Sequence, residues 1–84
     1  PLEHLANRVL QILLSHPKGQ LVSGAWLRQC LLPDFDPEVI ADLEKVLMQL
    51  VAEGHVVYHP EAHSRVPLLQ KYFWLTNATR ERLK

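Results

Sequence analysis

Eighty-four residues, 48% of them apolar, suffice for one small domain with one core of modest stability. Zero formal net charge argues against strong, indiscriminate binding to phosphate backbones, although a local basic patch stays open to it. A single cysteine, Cys30, excludes a disulfide framework and a cysteine-based metal site, and no apolar run reaches membrane-spanning length.

The chain shows no signal-peptide pattern, internal repeat or low-complexity segment, so residues 1–84 read as a single domain. It opens on Pro1 rather than Met and ends in a charged stretch, which leads us to expect a domain cut from a longer protein.

Residues 2–15 read as an amphipathic helix. Leu2, Leu5, Ala6, Val9, Leu10, Ile12, Leu13 and Leu14 fill about 200° of the wheel. So wide an arc predicts packing on two neighbours. Pro17, Lys18 and Gly19 end the helix. A very short strand is expected at 20–22. Ser23 is a good cap for a second helix over 24–32, with Trp26, Leu27, Cys30 and Leu31 on one face. Asp36 and Pro37 begin a third helix over 37–53, whose inward stripe is Val39, Ile40, Leu43, Val46, Leu47, Leu50 and Val51. Gly54 suits the left-handed residue that closes it.

Residues 55–59 and 71–75 are rich in β-branched and aromatic types and read as strands. The segment 60–70 between them is too long for a tight turn and forms a wing. Phe73 and Leu75 share the inner face of the last strand, with Tyr72 and Trp74 opposite. Thr76 or Asn77 caps a final short helix over 78–84.

Helix, short strand, two helices, strand, wing and strand is an order that resembles the winged-helix superfamily. The fold implied is α+β: a three-helix core, a small antiparallel β wing and a short C-terminal helix. Leu75-Thr76-Asn77-Ala78-Thr79-Arg80-Glu81-Arg82-Leu83 resembles the strand-to-helix junction of MarR- and PadR-type repressors. Leu50-Val51-Ala52-Glu53-Gly54-His55-Val56 is similar to the helix-to-wing junction in the C-terminal domain of the middle subunit of replication protein A, which binds peptides of repair proteins. LVSGAWLRQCLL, followed by a long helix and a long wing, resembles a DEP domain, a variant used for protein and membrane docking.

The superfamily resemblance implies a third helix lying in a DNA groove. The outward residues of that helix oppose such a use. Glu38, Asp42, Glu44 and Glu53 face a single lysine, Lys45, and phosphates repel the resulting surplus. Basic charge gathers instead on the wing and tail, in Arg65, Lys71, Arg80, Arg82 and Lys84. With Tyr72 and Trp74 these residues form the candidate nucleic-acid set, stacking on bases and neutralising phosphates.

Protein docking has its own candidates. Ala41, Lys45, Met48 and Ala52 make a second, weaker stripe on the third helix, where small residues permit close approach of a partner. Leu68 and Leu69 in the wing either fold back over the core or present an apolar patch.

Catalytic chemistry finds little support. His55, His59 and His63 are spaced by four, but they straddle a strand and a proline-flanked loop, and Glu61 is the only nearby carboxylate. Cys30 reads as packing. There is no phosphate loop and no nucleophile–base arrangement. The expectation is a non-catalytic module without cofactor, metal or small-molecule substrate. It would sit in a larger intracellular protein, cytoplasmic or nuclear, and dock a protein partner or another domain of its chain. The alternative is DNA or RNA binding led by the wing and tail.

Overall fold

The wide apolar arc of the first helix determines how the chain is assembled around it. In the computed structural model, which describes residues 2–18, 20–60 and 65–84, that helix is α1, Leu2–Ser15. Leu5, Val9, Ile12 and Leu13 are buried, while Leu2, Ala6, Leu10 and Leu14 are half-buried at the edges of the arc. There follow β1 (Val22–Ser23), α2 (Gly24–Leu31), α3 (Pro37–Ile40), α4 (Leu43–Ala52) and β2 (Val56–His59). A single 3-10 turn at Leu68–Gln70, β3 (Tyr72–Leu75) and α5 (Asn77–Leu83) complete the chain. α1 packs on α4, β3 and α2, three elements where the sequence predicts two.

The C-terminus of α1 has no basic residue in its last turn. α5 supplies the missing charge. The Arg80 guanidinium donates to the carbonyl oxygens of His16 at 3.0 Å, Leu14 at 3.4 Å and Leu13 at 3.5 Å. A cation there satisfies carbonyls that lack helical partners and complements the helix dipole.

Ser23 caps α2 as the sequence predicts, its Oγ accepting from the Trp26 N–H at 3.1 Å. The third helix departs from prediction. The expected continuous run over 37–53 breaks at Ala41–Asp42 into α3 and α4. Asp42 has φ −91° and ψ 7°, and its N–H bonds Val39 O at 3.0 Å, a tight three-residue turn. Aspartate is a poor interior helix residue, and Asp42 stands at the N-cap place of α4 without a side-chain capping bond. The break does not disturb the inward stripe, because Ile40 and Leu43 on either side of it are both buried.

α4 ends on Gly54, at φ +82°, with the His55 N–H reaching back to Leu50 O and the Gly54 N–H to Val51 O, both at 3.0 Å. This paired closure needs a left-handed residue, which glycine adopts without strain. Thr76 joins the same place to α5. It caps that helix through the Thr79 N–H, and its hydroxyl lies 3.0 Å from Gly54 O and from Thr79 Oγ1.

The sheet has the order β1-β3-β2, antiparallel throughout. Val22, Val56, Phe73 and Leu75 face inward and are buried with the helical leucines. The architecture is α+β, a three-helix core with a small antiparallel wing sheet and a short final helix, in the arrangement of a winged helix. No helix among the described residues is long and apolar enough to cross a membrane.

Candidate functional site

Alternation along β3 divides the sheet into a buried face and an open one. Phe73 and Leu75 point into the core; Tyr72 is 44% exposed and Trp74 half-buried on the other side. The register sets Val57 of β2 opposite Trp74 and His59 opposite Tyr72, so these four side chains share the open face. Val57 is exposed as well.

The chain around β1 extends this surface. Leu21, just before the strand, is 51% exposed, and Trp26, in the first turn of α2, is 44% exposed. The His16 ring meets Trp26 edge-on, centroids 4.8 Å apart. Its Nδ1 lies 2.9 Å from Ile12 O, and because a carbonyl only accepts, that nitrogen donates. Two shallow hollows of about 280 Å³ each flank Leu21. One is walled by His16, Trp26 and Tyr72, the other by Lys18, Trp74 and Arg80. Leu21 lines both, so the apolar surface runs continuously from Trp26 and Tyr72 to Trp74.

The outer side of α3 and α4 has a different character. Glu38, Ala41, Asp42, Glu44, Lys45, Met48, Gln49, Ala52 and Glu53 are all exposed. The stripe Ala41, Lys45, Met48, Ala52 therefore faces solvent, although Ala41 lies in the break and only the other three are on α4. Met48 is the one large exposed hydrophobe there among the described residues. Leu68 and Leu69 are half-buried and packed on the core. Their turn presses against the start of α2, where an added Cβ on Gly24 would lie 2.8 Å from Leu69 Cα.

The basic residues also separate. Arg65 is exposed. Lys71 is buried, only 4% exposed, with its ammonium 4.8 Å from the centre of the Tyr58 ring. Arg80 is committed to the carbonyls of α1. Arg82 donates to His55 Nδ1 at 3.1 Å, and Lys84 pairs with Glu81 at 3.1 Å on the surface. The expected basic track along the wing and tail is thus interrupted at Lys71 and Arg80, both drawn into structural contacts.

His55 is half-buried beside Thr79, with Nδ1 to Oγ1 at 3.1 Å, whereas His59 is exposed. His63 and Glu61 lie outside the described residues. Among the described residues no three of His, Cys, Asp and Glu gather as metal ligands. Cys30 is half-buried against the core, as its place on α2 predicts. Comparison with protein-family models, with characterised proteins and with solved structures finds no match.

Leu21, Trp26, Val57 and His16 were not site candidates from sequence. The sequence pattern sets Trp26 on the apolar face of α2 with Leu27, Cys30 and Leu31; it is instead 44% exposed. The buried stripe of α2 is Gly24, Leu27 and Leu31, and Trp26 sits about 100° from Leu27 around a helix, beyond that stripe. Leu21 and Val57 show their exposure only once the register is known.

Proposed function

We propose that this domain is a non-catalytic interaction module of an intracellular protein. It docks a protein partner, or another domain of its own chain, through the open face of the sheet. One observation carries this reading: Leu21, Trp26, Val57 and Tyr72 are exposed together beside half-buried Trp74. Contiguous apolar surface of this kind is costly in water and marks interaction sites, and aromatic side chains dominate the energy of such interfaces.

DNA or RNA binding remains the second reading, because Tyr72 and Trp74 are suitable stacking surfaces. A stacking platform works beside a cationic groove. Here Lys71 is buried and Arg80, which borders Trp74 together with Lys18, is committed to the carbonyls of α1. The acidic outer side of α4 adds no affinity for phosphate. Both readings suit a winged helix, a fold whose resemblances include repressors and docking domains.

A capture assay and an oligonucleotide titration separate them. Trp26→Ser with Tyr72→Ser should abolish capture of a defined partner from cell extract, while Met48→Glu leaves capture intact. Labelled duplex and single-stranded oligonucleotides should bind weakly. Tight oligonucleotide binding with a steep salt slope, lost in Arg65→Ala with Arg82→Ala, would overturn the docking reading.

A further inference from the structure

The apolar arc of α1 is wider than its packing uses. Leu2, Ala6 and Leu10, four residues apart, remain half-buried. With Val46 and Leu50 of α4 they floor a groove of about 410 Å³. Its rim is polar, with Glu3 and Asn7 on α1 facing Gln49 and Glu53 on α4, and it closes at His55. None of these residues belongs to the apolar patch of the sheet.

We propose that this groove binds a cationic peptide segment anchored by one or two large aliphatic or aromatic side chains. The volume accommodates such anchors and lies within the range of roughly 300–1,000 Å³ usual for ligand clefts. The spacing of its floor residues suits a helical segment whose apolar side chains recur every three or four residues.

Charge decides the rest of the occupant. Glu3 and Glu53 stand on the two walls. The nearby cations are engaged or few. Arg8 pairs with Asp34 at 3.7 Å, Lys45 is the exposed cation of α4, and Arg82 on His55 Nδ1 keeps its charge at the closed end, away from Glu3. Lysine or arginine beside the anchor side chains would meet this field, which accelerates encounter and fixes orientation. An acidic peptide or a nucleic acid would be repelled by it.

The test uses two synthetic amphipathic peptides, one of leucine and lysine, the other with glutamate replacing every lysine. Each is titrated into isotope-labelled protein at low salt and followed by NMR. The lysine peptide should saturate, with the largest shifts at Ala6, Leu10, Gln49 and Glu53. Glu3→Lys with Glu53→Lys should weaken it by roughly tenfold, as expected for two reversed rim charges. Both positions are exposed, so the variant keeps its fold. Equal binding of the glutamate peptide, shifts centred on Trp26 and Tyr72, or no saturable binding would each overturn the assignment. Such a failure leaves the sheet-face reading standing, since that rests on other residues and on the Trp26 and Tyr72 variants.

Discussion

β3 presents two faces built from similar residues with opposite environments. On one, Phe73 and Leu75 are buried among the leucines of α1 and α4. On the other, Tyr72 and Trp74 meet solvent beside Val57 and Leu21. Composition alone does not separate an aromatic that holds the fold from one that is available to a partner. The helices on one side of the sheet do, because among the described residues only that side has helices packed over it. The open face resembles a core face whose second layer is missing.

Removing a side chain from each face should therefore give unequal losses of stability. The largest effect is expected at Phe73→Ala, which empties the most enclosed aromatic site; denaturant unfolding should show a loss of about 3–5 kcal/mol. Gly24→Ala should come next. Its Cβ would lie 2.8 Å from Leu69 Cα and 2.9 Å from Leu69 O, backbone atoms that cannot rotate away. A loss of about 1–3 kcal/mol is expected, with displaced amide resonances at 68–70.

Arg80→Ala probes the boundary of the open face. As a structural cation, Arg80 should cost about 1–2 kcal/mol and increase hydrogen exchange in the last turn of α1. As a free surface cation it would leave both unchanged. The smallest stability effect belongs to the double variant Trp26→Ala with Tyr72→Ala, within about 1 kcal/mol in the same unfolding assay. A loss as large as that of Phe73→Ala would show that the open face is a second core rather than a docking surface.

Much of the fold was legible in the sequence because its signals are local. α1 spans the residues that periodicity predicts, and Ser23, Gly54 and Thr76 each cap or close a helix. The break at Asp42 was missed because the apolar stripe continues across it, hiding a backbone turn behind an intact pattern. Lys71 shows a different difficulty. The alternation that puts Phe73 and Leu75 inward puts Lys71 inward too, yet its charge suggests the surface. The Tyr58 ring across the sheet is one place where that charge rests. Arg80 reads as a basic tail residue until the end of α1, 64 positions earlier, is placed beside it. Leu21 and Val57 depend on sheet register, which a single sequence specifies weakly for strands of two and four residues.

The link between Arg80 and the first helix bears on how the chain folds. Loop closure across most of the sequence must precede the proper termination of its opening segment, a contact of high order like those of α1 with β3. α1 should thus form early but fray at its far end until α5 docks. Limited proteolysis during refolding should find the peptide bonds near His16 and Lys18 among the last to become resistant, at the same time as those of the final helix.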